Sequence, residues 1–347
     1  MKKVLVFGSG DYFQLKKSSI EGEIVGFIDN IKNGSIEGRK IYRVSEIKDL
    51  EYDLLYIMAG ADLTILFIRQ CIEAEVDLDK IVIGQNLEPH SAIENLYMHG
   101  NPSVFIDGER IIYDNGKVKL YIEDGKEFAG IVEMLGGNVY GFESNAKEYV
   151  VIDIGMNIGI ASLYFASRED VCKVYAYEPF SRTYEKALLN IQLNENLSNK
   201  IIPVHAGLCN EVKKEKVIYN KCMPGALTTC PDLIDQTVSY YRNNYSYEAD
   251  KECIEKVQLI DAADEIKKII SDNPGRKIVL KMDCEGSEYP IMEELEQEGL
   301  LEKVSVIMME WHYKGADILK ERLKRSGFTF FGFNINESYG TIYAVKS

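Results

Sequence analysis

Short apolar runs alternate with amphipathic stretches along most of this chain. Residues 2–7, KKVLVF, read as a buried strand; GSGD and a short segment to Ile20 follow, and EIVGFIDN is a second strand ending on Asp29. RKIYRVSEIKDL adds a short strand and helix, LEYDLLYIMAG a third buried strand, and DKIVIG, from Asp79, a fourth. Before the fourth, ADLTILFIRQCIEAEV carries Leu63, Leu66, Phe67 and Ile72 at near-helical spacing. Strands alternating with helices predict a parallel sheet covered by helices. This first unit, residues 1–88, is followed by a strand-rich connecting region, 89–149, in which VFIDGERIIYDNGKVKLYI carries DG and DNG turn signals suited to hairpins.

The alternation resumes over residues 150–347. YVVIDIG is a strand, IGIASLYFASRE a helix, KVYAYEP a strand, RTYEKALLNIQLNE a helix and KIIPVHAGL a third strand. A polar, Tyr-rich insertion occupies about residues 210–255. VQLIDAADEIKKII gives an extended segment and a helix, KIVLKMD a fourth strand, SEYPIMEELEQEG a helix, VSVIMMEWH a fifth strand and DILKERLKRSG a helix; FTFFGFN and GTIYAVKS close the chain as an antiparallel pair. The whole reads as α/β, a doubly wound sheet preceded by a smaller Rossmann-like domain.

Composition narrows the function classes. With 347 residues and 46% hydrophobic content the chain can fill two cores. Its 55 acids against 40 bases, net −15, repel phosphate backbones and anionic lipid, so neither nucleic acid nor membrane is an expected partner. The 7 cysteines are scattered without a CxxC pair, which points to reduced thiols in a cytoplasmic protein rather than a disulfide framework or structural zinc. The apolar run in MKKVLVFGSGDYF ends too soon for a signal peptide, and no stretch is long enough to span a bilayer.

VVIDIGMNIGIAS carries the strongest chemical signal. A buried strand ends at Asp153, and Gly155 and Gly159 bracket a turn before an apolar helix. Such a turn admits a ligand close to the backbone and aims helix N–H groups at negative charge. Met156 and Asn157 between the glycines spoil a nicotinamide fingerprint. In KVYAYEPF, Glu178 ends the next strand, where an acid can accept hydrogen bonds from both ribose hydroxyls. Together these residues suggest a nucleoside with something other than pyrophosphate at the glycine turn; alternatively this is an ordinary strand–turn–helix joint with a capping Asp.

VVIDIGMNIGIAS, VYAYEPF, VLKMDCEGSEYP and VIMMEWH, in this order and spacing, resemble the FkbM-type S-adenosylmethionine-dependent methyltransferases. The resemblance covers roughly the last 200 residues, although the family often has alanine where Met156 stands. It implies a class I methyltransferase domain with a seven-stranded sheet whose last strand is antiparallel, and S-adenosylmethionine as cofactor. It further implies that Asp153, Gly155, Met156, Asn157 and Gly159 line the methionine moiety and that Glu178, with Pro179 beside it, holds the ribose. Phe180 would pack on adenine, with His205 and Ala206 at the adenine edge.

Methyl transfer needs an aligned acceptor and, for a hydroxyl, a group to take its proton. Candidates stand at two strand ends, Asp283 with Glu285 and Glu310 with His312. Three readings stay open. Asp283 or His312 is a general base, His312 having the more suitable ordinary pKa; Asp283, Glu310 and His312 hold a divalent ion that acidifies the hydroxyl; or the group is structural, with Glu285 or Ser287 capping a helix. In the first, Asp283 faces the methyl with His312 as partner, Glu285 borders the acceptor, and Glu288 is solvated within its helix. Trp311 and Tyr240, Tyr241, Tyr245 and Tyr247 of the insertion could stack on a sugar or simply pack; PGALTT, from Pro224, could line an acceptor cleft.

In the first domain Gly8, Gly10 and Asp29 begin a nucleotide fingerprint, but Phe13 replaces its third glycine. A bound nucleotide-sugar and a scaffold that places the acceptor or forms a homodimer are the two readings; VFGSGDYF also resembles the small Rossmann-like domain fronting some bacterial sugar acetyltransferases and glycan-modifying methyltransferases. The expected activity is O-methylation of a sugar, glycan or other small metabolite, the substrate class coming from the resemblance. The alternatives are a nicotinamide- or nucleotide-sugar-dependent enzyme acting through the first domain, and a non-catalytic scaffold.

Overall fold

A computed structural model describes residues 1–59, 61–83, 103–108, 110–123, 125–136, 139–142, 148–220, 227–244 and 252–346. The chain divides into two compact units, Met1–Val139 and Tyr140–Ser347. Among the described residues no helix is long and apolar enough to cross a membrane.

In the first unit, β1 (Lys3–Phe7), β2 (Glu23–Ile28), β3 (Ser35–Ile36), β4 (Arg39–Tyr42), β5 (Leu54–Ile57) and β6 (Ile81–Ile83) form one sheet in the order β3-β4-β2-β1-β5-β6, parallel except for β3. The central β1 is buried from Val4 to Phe7 because strands flank it on both sides. The helix Ala61–Glu73 buries Thr64, Ile65, Ile68 and Cys71 and leaves Leu63 and Leu66 exposed. The near-helical spacing of Leu63, Leu66, Phe67 and Ile72 thus falls on a helix, and of these Phe67 stacks on the buried Phe7 at 4.1 Å. The unit also contains β7 (Ser103–Asp107), β8 (Arg110–Asp114) and β9 (Lys119–Ile122), an antiparallel sheet. Arg69 of the helix donates to the carbonyls of Ile122 and Glu123, both at 3.0 Å, which ties β9 to this unit rather than leaving it as a separate connector.

In the second unit the sheet is built of β10 (Tyr149–Ile154), β11 (Val171–Tyr177), β12 (Ile201–Val204), β16 (Lys277–Met282), β17 (Val304–His312), β18 (Thr329–Asn334) and β19 (Tyr339–Val345). Their order is β12-β11-β10-β16-β17-β19-β18, with β19 antiparallel to both neighbours, as the resemblance implied. Every residue of β10 is buried, and the order reverses beside it, between β10 and β16, so the crevice for a ligand opens at the carboxyl ends of these strands. The insertion is partly a hairpin: β14 (Lys213–Asn220) pairs antiparallel with β15 (Glu252–Asp261), which also pairs with β13 (Gly207–Cys209). Tyr240 and Tyr241 fall on the helix Ile234–Asn244; Pro224, Tyr245 and Tyr247 lie outside the described residues.

A buried ion pair locks the crevice. Lys281, on β16, is 2% exposed and stands 2.9 Å from Asp153 Oδ1 on β10, while its Nζ donates to the Gly155 carbonyl at 2.6 Å. Ser162 Oγ donates to the other oxygen, Oδ2, at 2.6 Å. Burial pushes the Lys281 pKa down, but the charges of Asp153 and Asp283 outweigh it and hold Lys281 above its ordinary value. Replacing one partner strands the other charge in the core. Lys281→Met is expected to cost about 3–5 kcal/mol, read as a lower urea midpoint with unchanged slope. Lys281→Met combined with Asp153→Asn should recover part of that loss, and a double variant no more stable than the single one would contradict the pairing.

Candidate functional site

The glycine turn is held from both sides. The N–H groups of Gly155 and Met156 donate to the Tyr177 carbonyl of β11, and the Asp283 N–H donates to the Ile154 carbonyl. Gly155 has φ 83°, and a Cβ there would collide with the carbonyl of Asp283, so both conformation and space require glycine. Asn157 adopts φ 51°, and Gly159, two residues on at φ 89°, begins the helix Ile160–Ser167. Asn190, fully buried, props the turn by donating to the Ile158 carbonyl at 2.8 Å.

This turn borders a cleft lined by Gly155, Asn157, Glu178, Pro179, Phe180, Asp283 and Glu285 among the expected residues. Asp153, Met156 and Gly159 do not line it. Asp153 is fully buried against Lys281 and Ser162, and Met156 is 1% exposed, so both are packed within the fold at the turn. His205 and Ala206 do not line the cleft either. His205 lies exposed and stacks on Tyr184 at 4.6 Å, because the chain turns after β12 and enters the cleft only at Gly207 and Leu208.

Glu178 is 4% exposed. Its oxygens accept the N–H of Asn157 at 2.9 Å and of Phe180 at 3.0 Å. Burial pushes its pKa up to about 7 against the pull of these two donors. Beside it Tyr177, Phe180, Leu208 and Leu227 supply an apolar wall, with Phe180 backed by Tyr219 of β14 at 5.7 Å. A carboxylate at one wall and aromatic and aliphatic groups beside it fit a nucleoside: the acid for ribose hydroxyls, the wall for the base.

The opposite end of the cleft is acidic, but its charges are arranged otherwise than expected. Glu288 is not solvated; it is fully buried and accepts the N–H groups of Cys284 at 3.0 Å and Gly286 at 2.8 Å. Its Oε1 also meets His312 Nδ1 at 3.1 Å. His312 Nε2 faces Glu310 at 3.6 Å and Glu285 at 3.8 Å. Burial alone would lower the His312 pKa, but Glu285, Glu288 and Glu310 together raise it well above its ordinary value. At neutral pH His312 is thus a protonated donor on both nitrogens, without the lone pair a general base needs. Glu288 answers this charge: burial would raise its pKa, but His312 and the N–H donors bring it below the ordinary value.

Asp283 reaches the cleft, with the Tyr140 hydroxyl 3.5 Å from its Oδ2. Glu285 lines it in a left-handed conformation, φ 52°, its carboxyl pushed up to about 8, chiefly by burial. Glu310 is likewise raised, by burial and by Asp283. Neither Glu310 nor His312 lines the cleft; His312 Nε2 approaches both Glu310 and Glu285. Trp311 is 1% exposed and belongs to the hydrophobic core, since alternation along β17 points it away from Glu310 and His312; it has no face for a substrate. Among the described residues no group of His, Cys, Asp and Glu is arranged to hold a metal ion. The residues that sequence reasoning missed are Lys281, Tyr140, Asn190 and Ser162. Only Lys281 left a signal, a charge inside the apolar run KIVLKM.

In the first unit Gly8 is required by packing, as a Cβ would strike the Met58 carbonyl. Asp29 accepts Ser9 Oγ at 2.8 Å and the N–H groups of Ile31 at 2.9 Å and Lys32 at 2.8 Å. Phe13 fills the core against Phe27, at 5.0 Å, and the helix Asp11–Lys16 spans only 6 residues. Gly8, Asp29 and Phe13 are thus engaged with the fold, whereas a Cβ at Gly10 would meet open space.

The methyltransferase FkbM domain, as a family, matches residues 153–330, and the C2185-like N-terminal family matches residues 1–82. Methyltransferase sdnD of Sordaria araneosa is 25% identical over 193 residues, spanning 53% of this chain and 74% of its own. The solved methyltransferase FkbM from Methylobacillus flagellatus KT is 13% identical, with a TM-score of 0.38, over 99% of this chain and 90% of its own. Precorrin-6y C5,15-methyltransferase from Geobacter metallireducens GS-15 is 12% identical, with a TM-score of 0.32, over 65% of this chain and 90% of its own.

The site makes stability depend on pH with a definite sign. Glu178 and Glu285 keep their protons to about 7 and about 8 when folded but to the ordinary carboxyl range when unfolded. His312 also binds its proton more tightly in the fold. Stability from all three is present at low pH and lost as pH rises through these values, whereas Glu288 contributes above its ordinary pKa and loses that on acidification. The melting temperature should therefore fall from about pH 5 to about pH 9, less steeply in Glu285→Gln. A melting temperature that climbs over that range would contradict these charge states.

Proposed function

The chain belongs to the FkbM methyltransferase family, and from that premise we propose that it transfers a methyl group from S-adenosylmethionine to a hydroxyl of a sugar, glycan or other small metabolite. The observation that carries the cofactor reading is Glu178. It is buried at the end of β11, bonded to the glycine turn through Asn157, and flanked by the apolar wall of Phe180 and Leu208. S-adenosylmethionine would supply an activated methyl on a sulfonium. Glu178 would accept its ribose hydroxyls, the wall would cover its adenine, and the turn at Gly155 would take its amino-acid end. The carboxylates Asp283 and Glu285 at the far end of the cleft favour an acceptor whose attacking atom must lose a proton, as a hydroxyl does.

Native mass spectrometry and calorimetry test this directly. S-adenosylmethionine and S-adenosylhomocysteine should bind stoichiometrically, and NAD should not compete. Glu178→Ala should weaken both by tenfold or more, about 1.5–3 kcal/mol for hydrogen bonds to a charged group. Retention of full affinity in that variant would refute the ribose assignment. Radiolabelled methyl transfer across a panel of hydroxylated sugars then reports the acceptor class.

A further inference from the structure

Asp283 and His312 are the groups at the strand ends that sequence favours for proton transfer, but of the two only Asp283 lines the cleft, and Glu285 lines it beside Asp283. We propose that Glu285 takes the acceptor's proton during methyl transfer, and that His312, pinned by Glu288, is the positioning residue that sets when Glu285 is ionised. The inference rests on the reading of the cleft as an S-adenosylmethionine site.

Three observations lead there. First, Glu285 lines the cleft together with Asp283 and Gly155, whereas Glu310 and His312 do not. Second, the chain accepts a strained backbone to put it there: Glu285 is left-handed at φ 52° and is followed by Gly286 at φ 106°. Strain of this kind persists where surrounding structure over-determines it, and it gathers at functional sites. The over-determination is visible in the hydrogen bonds of this loop. Glu288 ties down the N–H groups on both sides of Glu285, those of Cys284 and Gly286, and the same carboxylate holds His312 Nδ1. Third, His312 Nε2 is thereby left facing Glu310 Oε1 at 3.6 Å and Glu285 Oε1 at 3.8 Å, and the Tyr313 hydroxyl lies 3.5 Å from Glu285 Oε2. A buried carboxylate, an imidazolium and a cleft carboxylate thus stand in line.

Asp283 suits the role less. It sits beside the fixed Lys281 cation and under the Tyr140 hydroxyl, and its backbone is pressed against Gly155. The groups facing Glu285 are Asp283 and Glu288 from its own loop, Glu310 and His312 from β17, and Tyr313 just beyond it. The three acids and burial resist its ionisation, and His312 favours it. In the transfer the acceptor oxygen bonds to the methyl carbon, the carbon–sulfur bond breaks with its electron pair going to the sulfur of S-adenosylmethionine, and the acceptor proton passes to a Glu285 oxygen. His312 keeps its proton throughout.

The test needs no acceptor. A carboxylate facing the methyl should distinguish the cationic sulfonium of S-adenosylmethionine from the neutral thioether of S-adenosylhomocysteine, and only when ionised. Calorimetric affinities for both are measured from about pH 6 to about pH 9 in wild type and in Glu285→Gln, whose ratio registers the ligands' own titration and every titrating group of the site except Glu285. The wild-type preference for S-adenosylmethionine should grow with pH by about tenfold relative to that variant, the change given by one pKa unit of coupling. In His312→Gln the rise should move to higher pH, because the favouring charge is gone. A merely structural role would change affinity for both ligands equally and leave the midpoint in place. Identical pH dependence in wild type and Glu285→Gln, with both ligands bound, overturns this assignment while the cofactor reading stands. Failure of either nucleoside to bind overturns both.

Discussion

The second unit depends on one buried cation. Lys281 reaches from β16 across to β10, neutralises Asp153 and holds the Gly155 carbonyl. Without it, Asp153 would be an uncompensated charge in a core in which every residue of β10 is buried. With it, the glycine turn is fixed to both strands that flank the topological switch point. The lysine is therefore a structural part of the cleft that it never enters. Two residues further along the chain, Asp283 emerges where the crevice opens.

A second charge cluster governs the acceptor end. Three glutamates surround His312, and Glu288 is the one that backbone donors satisfy. That asymmetry decides the protonation pattern. Glu288 is held ionised, His312 carries the matching charge, and Glu285 and Glu310 are left with raised pKa values. An imidazole that looks like a base by type becomes a fixed cation by environment, and the carboxyl in front of it acquires the proton affinity. The two ends of the cleft are chemically distinct for the same reason. Glu178 meets two N–H groups and an apolar wall, so burial dominates there.

Much of the fold was legible because it is written in local pattern. The strands β10, β11, β16 and β17 are short apolar runs bounded by glycine or acids, and their alternation with helices implied a parallel sheet. The motif around Asp153 marked the turn at Gly155, and the next strand end marked Glu178; both stand at the cleft. The helix Ala61–Glu73 was legible from its spacing, but a helix rich in apolar residues offers more than one stripe, and packing picks the face that buries Ile65, Ile68 and Cys71. His205 and Trp311 fall outside the cleft lining for different reasons. The chain turns once more after β12 before reaching the cleft, and β17 keeps strict alternation, which sends Trp311 to the core.

The sequence by itself determined the α/β class, the glycine turn, the acid at the end of β11 and the presence of an acidic constellation after β16. These are one-dimensional facts, since residue type and spacing suffice to state them. Tertiary structure alone decided which of the acids are buried, which are bonded to backbone and which face the cleft. Protonation and reach depend on distances between residues far apart in the chain, such as Lys281 to Asp153 at 2.9 Å and His312 to Glu288 at 3.1 Å, and no spacing along the sequence encodes them.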